Sequence, residues 1–369
     1  MYPDGIASLR KSAAAAGIPL SGMFELTKRC NLRCGFCYVM DRQCVKEKSA
    51  EKTAEEWLHM ISQAAGAGML VCTFTGGEPF MREDFEEIYC KAYDMGLRIA
   101  VFTNASLIGE KQLGYLRKRP PGLLSISVYG ASEKSYRELC GDGAAFHRVM
   151  DAIHRIKEEG FHMELKALPL RLLAEEFESI GRMSALCGCP GKLDVYIGPG
   201  RDGPQRHNGS WRLPPDQLLS ALTSFQKGMS GGVPEDPPPP EEDFSPEEPT
   251  WQEEPARLPF QEASEPGLAC LAGKSSFFIA GDGRMMGCPT LTCFATFPFA
   301  SGFQTAWEVL MHSIATAQSC RECETCEDAA FCPACPASRM GETGSPKECC
   351  AYLKELAHAL SMASRESAG

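Results

Sequence analysis

The sequence predicts an α/β fold built on a parallel sheet. Over the first two hundred residues, short β-like runs alternate with amphipathic helical patterns, which is typical of successive β–α units. The six strand-like runs are 23–27, 69–75, 97–103, 123–129, 162–168 and 192–197. Helical patterns occupy 53–64, 83–95, 132–139 and 146–159. Such a sheet is either doubly wound or rolled into a partial barrel, and periodicity alone does not choose between the two.

The clearest helical pattern begins at Thr53. Residues 53–56 read TAEE, so Thr53 is the predicted N-cap and Glu56, three residues later, completes a capping box. An apolar stripe of Trp57, Ile61 and Ala64 follows at helical spacing. We therefore predict a helix here.

An acidic, proline-rich segment at 231–266 divides the chain. It contains ten prolines, and it carries eleven acidic residues against one arginine, so that the rest of the chain has a net charge of only −1. Because proline runs are incompatible with helix and central strand, we predict an extended spacer or insertion. The predicted divisions are an N-terminal extension, a core domain, this linker and a cysteine-rich C-terminal domain, at 1–20, 21–230, 231–266 and 267–369.

Composition excludes several classes of protein. The chain has no basic patch of the kind that binds nucleic acid. It contains no uninterrupted apolar run of about 18 residues, so we predict no membrane span. The first twenty residues lack the apolar centre of a signal peptide. We therefore expect a cytoplasmic protein, in which nineteen cysteines indicate metal or redox chemistry rather than disulfides.

Three of these cysteines, Cys30, Cys34 and Cys37, fall directly after the first predicted strand. Three thiolates can bind three irons of a 4Fe–4S cubane and leave the fourth iron open to another ligand. A structural zinc site needs four ligands, and the first histidine, His59, comes 22 residues after Cys37. The spacing therefore favours an iron–sulfur cluster over zinc.

This segment resembles the fingerprint of the radical S-adenosylmethionine (SAM) superfamily, in which three cysteines are separated by three and then two residues. Phe36, an aromatic residue directly before the third cysteine, completes the match. The resemblance implies a partial (β/α)6 TIM-like barrel and a SAM whose amino and carboxylate groups chelate the open iron. Reductive cleavage of SAM would give a 5′-deoxyadenosyl radical that abstracts a substrate hydrogen. It also implies that Phe36 and the backbone near Tyr38 pack on the adenine, and that flavodoxin or ferredoxin donates the electron.

A second motif, TGGEP at 75–79, ends the second predicted strand. Gly76 and Gly77 permit close approach of the backbone to a ligand, and Glu78 can accept hydrogen bonds from an ammonium group. Taken alone, the motif could be an ordinary turn. Its position, about forty residues after the cysteines, matches the superfamily's motif for the SAM amino group.

Three further candidates lie near strand ends, where ligands of parallel sheets gather. Asn104 closes the third strand, and Ser127 lies near the end of the fourth. Arg137 follows on the next helix, where related enzymes often place a base for the SAM carboxylate or ribose. An ordinary structural role is the alternative for each.

The C-terminal domain is predicted to begin with a β-hairpin that turns at 281–283 and to contain helices near 304–317 and 352–362. It carries further cysteines, several of them separated by only two residues: Cys270, Cys288, Cys323, Cys326, Cys332, Cys335, Cys349 and Cys350. Taken alone, they could form a zinc ribbon. Behind a radical SAM core, their order resembles the SPASM extension, a small α+β domain that holds auxiliary iron–sulfur clusters in peptide-modifying enzymes.

The resemblance implies two auxiliary clusters with crossed ligands. The distal ligands would be Cys323, Cys326, Cys332 and either Cys349 or Cys350. We favour Cys350 because Pro346 precedes it by four residues, as is common in similar sequences. The proximal ligands would be Cys270, Cys288 and Cys335. Cys293, a non-cysteine group or an open iron would complete that site.

We therefore predict a radical SAM enzyme that modifies a ribosomally made peptide or protein. Pro289 stands where sulfatase-maturing relatives carry an aspartate, which disfavours that reaction. The residues before the first strand leave little room for the leader-peptide domain of many maturases. One alternative is a small-molecule enzyme of cofactor biosynthesis, such as a haem-modifying relative. The other is a non-enzymatic iron–sulfur or zinc protein.

Overall fold

A computed structural model describes residues 3–39, 51–201, 208–231, 270–316 and 320–368. The predicted linker lies outside the described residues except for Gly231, which ends a helix. None of the helices in the described ranges is long and apolar enough to cross a membrane.

Eight strands form a single sheet. They are β1 (Ser21–Thr27), β2 (Val71–Gly76), β3 (Arg98–Thr103), β4 (Leu123–Ser127), β5 (Met163–Ala167), β6 (Gly191–Leu193), β7 (Ser276–Ile279) and β8 (Met285–Met286). The first six correspond to the six predicted strands, and β7 and β8 form the predicted hairpin.

Thirteen α-helices lie in the described residues. They are α1 (Pro3–Ala15), α2 (Ala54–Gly66), α3 (Phe85–Asp94), α4 (Glu110–Lys118), α5 (Glu133–Cys140), α6 (Ala145–Glu158), α7 (Phe177–Cys187), α8 (Pro215–Ser230), α9 (Pro298–Ser301), α10 (Phe303–Ala315), α11 (Arg321–Glu324), α12 (Pro336–Thr343) and α13 (Ala351–Ala368). The sequence patterns missed seven of them: α1, α4, α7, α8, α9, α11 and α12.

The strand order decides between the two architectures that the sequence left open. It runs β6-β5-β4-β3-β2-β1-β7-β8, with every neighbouring pair parallel except β7 and β8. A doubly wound sheet reverses its strand order at a switch point, whereas β1 to β6 follow one another without reversal. Among the described strands, no pairing closes β6 onto the other edge. The fold is therefore the predicted partial (β/α)6 barrel.

The C-terminal hairpin extends this sheet. Strand β7 pairs in parallel with β1, from Ser21 opposite Ser276 to Phe24 opposite Ile279. The pairing satisfies the edge of β1 that faces away from β2, which would otherwise expose unpaired backbone groups. Cys288, two residues after β8, is thereby placed near this edge of the barrel.

The core lies between the sheet and its outer helices. The predicted capping box of α2 is present, with Thr53 and Glu56 each accepting from the other's backbone N–H. Trp57 is fully buried, with its ring 6.2 Å edge-on from Phe24 of β1. Side chains alternate along a strand, so Glu25, next to Phe24, points to the barrel interior. Polar residues in this interior are the candidates for function.

Candidate active site

The three cysteines of the first motif lie in the loop that follows β1. Two backbone N–H groups of this loop, those of Arg33 and Gly35, donate to carbonyls at the end of α5 over 2.9 and 3.1 Å. The thiols of Cys30, Cys34 and Cys37 are half-buried. The loop is thus held at the carboxyl ends of the parallel strands, where α/β proteins bind their ligands.

The two glycines at the end of β2 pack against the backbone that leads into this loop. Gly77 N–H donates to the carbonyl of Thr27, and Glu78 N–H to that of Arg29, both over 2.8 Å. A Cβ on Gly77 would lie 2.3 Å from the Arg29 oxygen, and one on Gly76 would lie 2.3 Å from the Thr27 oxygen. Neither position has room for a side chain. The close contact that the sequence predicted is therefore made, at least in part, with the chain itself.

Glu78 lies fully buried beside the loop. Its Oε1 accepts from the Thr103 hydroxyl (2.8 Å) and the Phe80 N–H (3.2 Å), and its Oε2 accepts from the Asn104 N–H (2.8 Å). Burial raises the pKa of Glu78 to about 7, against the opposing effect of these three donors. A carboxylate held so firmly in a buried position is suited to bind a cation.

Asn104 connects β3 to the cysteine loop. Its Nδ2 lies 3.0 Å from Asn31 Oδ1 and 3.7 Å from the sulfur of Cys30. Its Oδ1 accepts from the hydroxyl and the N–H of Ser106. The next residue, Ala105, has φ = 60°, in the left-handed region that non-glycine residues seldom adopt. Backbone strain of this kind clusters at functional sites.

Phe36 lies in an aromatic cluster. Its ring centroid is 5.6 Å from that of Tyr129 and 6.1 Å from that of Trp211. A Cβ on Gly35 would lie 2.4 Å from the indole of Trp211, so glycine is needed there. No pattern in the sequence predicted that Trp211 lies beside this loop.

Tyr38 is half-buried, and burial of its hydroxyl raises the pKa of the phenol. Its carbonyl accepts from the N–H of Arg201, and the Arg201 guanidinium lies 5.7 Å from the centre of its ring. Arg201 in turn donates to the carboxylate of Glu25 and to the carbonyl of Pro289, beside Cys288. One buried arginine therefore joins the first cysteine loop to the C-terminal domain.

Two of the predicted SAM contacts lie farther from this cluster. Ser127 ends β4, opposite Lys166 of β5, and lies near the side chain of Tyr129. The Arg137 side chain is 63% exposed on α5 and forms an ion pair with Glu133. The structure does not bring Arg137 into the group formed by Cys30, Glu78 and Asn104.

Four C-terminal cysteines surround a cavity of about 140 Å³. They are Cys323, Cys326, Cys332 and Cys349. The sulfurs of Cys323 and Cys349 are 3.9 Å apart.

Cys350, which the sequence favoured over Cys349, does not line this cavity. It is buried elsewhere, near the carboxylate of Glu342. Adjacent side chains at the beginning of a helix point in different directions. Of this pair, only Cys349 faces the other distal cysteines. The lining of the cavity therefore favours Cys349 over Cys350 as a distal ligand.

The proximal cysteines also come together. Burial raises the pKa of Cys270, and the nearby thiols of Cys335 and Cys288 raise it further. Cys293 lies close enough to Cys288 to feel its charge. Within the described ranges, no three cysteine, histidine, aspartate or glutamate side chains converge on a single ion position.

Beside the proximal cysteines is the larger cavity, of about 700 Å³. Arg201, Tyr196 and Gly198 line it from the barrel side, and Thr290 and Cys335 line it from the C-terminal domain. It therefore lies between the barrel and the C-terminal domain.

Comparison with known families identifies the barrel. Residues 24–177, which include the cysteine loop, Glu78 and Asn104, match the family described as the radical SAM superfamily. This part of the chain is therefore similar to a radical SAM domain. SAM and a 4Fe–4S cluster are the cofactors of that family.

Two curated relatives match part of the chain. Fe-coproporphyrin III synthase of Methanosarcina barkeri is 31% identical over 144 residues, which are 39% of this chain and 35% of the relative. PqqA peptide cyclase of Bradyrhizobium diazoefficiens is 29% identical over 178 residues, which are 47% of this chain and 46% of the relative. The chain thus spans less than half the length of either relative.

Solved structures match nearly the whole chain at low identity. SuiB of Streptococcus suis, bound to S-adenosylmethionine, has a TM-score of 0.64 and 17% identity, over 90% of this chain and 76% of SuiB. The protein anSMEcpe, bound to AdoMet and a Kp18Cys peptide, has a TM-score of 0.63 and 16% identity, over 94% of this chain and 98% of that one. At this identity the likeness establishes the shared fold.

The residues present fit the cofactors of a radical SAM domain. Burial raises the pKa of Cys30 to about 12, so the free thiol is protonated at neutral pH, and binding of a metal would replace this proton. The donor set at the loop contains only sulfur, which suits an iron–sulfur cluster. Glu78 supplies a buried anionic acceptor near it.

Proposed function

We propose that this chain is a radical SAM enzyme that modifies a peptide or protein substrate by hydrogen abstraction. The observation that carries the proposal is the convergence of Cys30, Glu78 and Asn104 at the ends of three adjacent strands. Asn104 contacts both the Cys30 sulfur and, through its N–H, the Glu78 carboxylate. Thiolate donors and a fixed carboxylate acceptor are thereby built into one site.

In this proposal Cys30, Cys34 and Cys37 hold the 4Fe–4S cluster, which supplies the electron for SAM cleavage when it is bound. Glu78 accepts the SAM ammonium, and Asn104 holds both the carboxylate and the Cys30 sulfur in place. Gly76 and Gly77 keep the end of β2 against the cysteine loop. Phe36 supplies an apolar surface for the adenine. Ser127 and Arg137 remain weaker candidates for SAM contacts.

The proposed substrate site is the 700 Å³ cavity that Arg201 and Cys335 border. Ligand sites of a few hundred Å³ and more are typical of clefts between domains. Arg201 contacts the backbone of Tyr38, one residue after the last cysteine of the loop, so the cavity adjoins the proposed SAM site. The similarity to a peptide cyclase and to a peptide-bound structure favours a peptide substrate.

We propose two auxiliary clusters in the C-terminal domain. Cys323, Cys326, Cys332 and Cys349 would hold the distal cluster, because they surround one cavity. Cys270, Cys288 and Cys335 would hold the proximal one, with Cys293 near enough to serve as a fourth ligand. A flavodoxin or ferredoxin would supply the electrons.

The second candidate function is modification of a tetrapyrrole. The similarity to Fe-coproporphyrin III synthase favours it. That match and the match to the peptide cyclase both cover less than half of this chain.

The test of the class is anaerobic reconstitution with iron and sulfide, followed by dithionite, SAM and an assay for 5′-deoxyadenosine. We expect about eight to twelve irons per chain, as two or three cubanes require, and SAM cleavage. The Cys30/Cys34/Cys37→Ala variant should lose about four irons and all product. Cys90→Ala, a half-buried cysteine of α3, is the matched control and should lose neither. Bound zinc without deoxyadenosine would leave only a metal-stabilised binding protein.

The substrate class is tested separately. The reconstituted enzyme is incubated with SAM and either a peptide encoded beside its gene or iron-coproporphyrin, and both mixtures are analysed by mass spectrometry. A mass change in the peptide supports the first candidate, and a change in the porphyrin supports the second.

A further inference from the structure

Arg339 lies at the wall of the distal cavity. The residue belongs to α12, is only 6% exposed and lines the cavity together with the four cysteines. Its Nε donates to the carbonyl of Pro346 over 2.8 Å, and its Nη1 lies 3.7 Å from the sulfur of Cys323. The guanidinium is thus fixed at one end by the backbone and directed at the cysteines at the other.

The charge of this arginine has no carboxylate partner. Elsewhere in the core, Arg201 and Arg212 each form an ion pair with a glutamate. None of the ion pairs among the described residues includes Arg339, although it is buried to the same degree. A buried guanidinium without an anion is costly, so its surroundings should contain negative charge. Ionised cysteines around the cavity are the nearest source.

We propose that Arg339 compensates the charge of the distal cysteine site and sets its reduction potential. The inference rests on the proposed function, in which this cavity holds an iron–sulfur cluster. Four thiolates give such a site a net negative charge, and reduction by one electron adds another. A fixed cation in a buried site stabilises the more negative state, so Arg339 should raise the potential. The N–H directed at the Cys323 sulfur acts in the same sense.

Lys354 provides a contrast at the same cavity. It also lines the cavity, but its side chain is 49% exposed and forms an ion pair with Glu322. Solvent and the partner carboxylate screen its charge. Lys354 should therefore affect the distal potential much less than Arg339 does.

The test is a redox titration followed by electron paramagnetic resonance on the full-length reconstituted protein. Cys30, Cys34 and Cys37 are replaced by alanine in every sample, which removes the SAM-site signal. The distal signal is identified as the one that Cys326→Ser removes. Arg339→Gln, Arg339→Lys and Lys354→Gln are compared with the parent, and iron per chain is measured for each.

We expect the midpoint potential to fall most in Arg339→Gln, less in Arg339→Lys and least in Lys354→Gln. Failure of Arg339→Gln alone to retain the distal irons, with Arg339→Lys retaining them, would also support charge compensation. An unchanged potential in Arg339→Gln would overturn the inference and leave the proposed function intact. Loss of distal irons from both Arg339 variants would overturn it too, since the lysine keeps the charge. If the parent protein shows no signal that Cys326→Ser removes, the proposed distal cluster is refuted.

Discussion

Arg201 and Glu25 form a bidentate ion pair in which both side chains are almost completely buried, 6% and 1% exposed. The Nη1–Oε1 and Nη2–Oε2 distances are 3.1 and 2.6 Å. Glu25 belongs to β1 and also accepts from the N–H of Gly281 in the C-terminal hairpin. Through these contacts the pair connects the barrel to the C-terminal domain.

The first prediction concerns this pair. Arg201→Met should lower the free energy of unfolding by about 3–5 kcal/mol, because it leaves the Glu25 carboxylate buried without a countercharge. The double variant Glu25→Leu/Arg201→Met should lower the free energy of unfolding less than the single variant does, because it leaves no buried charge without a partner. Urea unfolding of the reconstituted protein measures both.

Arg117→Met is the control for that experiment. Arg117 pairs with Glu110 and Glu159 on the surface, where solvent screens the charges, so its loss should change the free energy of unfolding little. A similar cost for the buried and the exposed pair would show that the Arg201–Glu25 pair does not fasten the domains.

The second prediction concerns Glu78 and pH. In the SAM-free protein its pKa is raised from 4.5 to about 7 by burial, so the native state holds a proton that the unfolded chain releases. Its contribution to stability is thus complete below pH 4.5 and is lost as the pH rises through about 7. The size of the loss is of the order of 3 kcal/mol. Unfolding free energies measured from pH 5 to 8 should decline accordingly.

Glu78→Gln should flatten that decline, because glutamine does not titrate. The variant should also be less stable at low pH. The NH2 group of its amide would face a backbone N–H from which the carboxyl group of Glu78 accepts a hydrogen bond. Equal pH slopes in the two proteins would mean that Glu78 titrates normally. The same variant should bind SAM more weakly in equilibrium dialysis, because the proposed acceptor of the ammonium has lost its charge.

The third prediction concerns Gly77. Gly77→Ala would place a methyl group 2.3 Å from the Arg29 carbonyl oxygen, and the backbone must shift to relieve the clash. The cysteine loop begins at Cys30, directly after Arg29, so the shift should disturb it. We expect a loss of about four irons per chain and of roughly 2 kcal/mol in the free energy of unfolding. Gly114→Ala, on α4 with open space around it, should keep its iron and be as stable or slightly more stable. Full iron content in Gly77→Ala would contradict the packing argument.

The fourth prediction separates two adjacent cysteines. Cys349→Ser should lower the iron content by about four per chain, because Cys349 lines the distal cavity. Cys350→Ser should keep its iron, since that thiol is buried against Glu342 instead. The reverse result would restore the assignment that the sequence alone favoured.

The sequence by itself was enough to predict the six parallel strands, the capped helix after Thr53 and the cysteine loop. These features depend on residues close together in the chain, whose spacing directly reflects strand, helix and ligand geometry. Seven helices were missed because their apolar patterns are short or interrupted by small residues, and tertiary packing stabilises them: α1, α4, α7, α8, α9, α11 and α12.

Only the tertiary structure decided which distant residues meet. The order of the strands decided for the partial barrel over the doubly wound sheet, and the lining of the distal cavity favours Cys349 over Cys350. Arg201 and Arg339 carry no local signal, since an arginine in a sequence does not reveal whether it will be buried. Their roles arise because folding removes their charge from water beside specific partners, and the cost of that burial depends on groups far away in the chain.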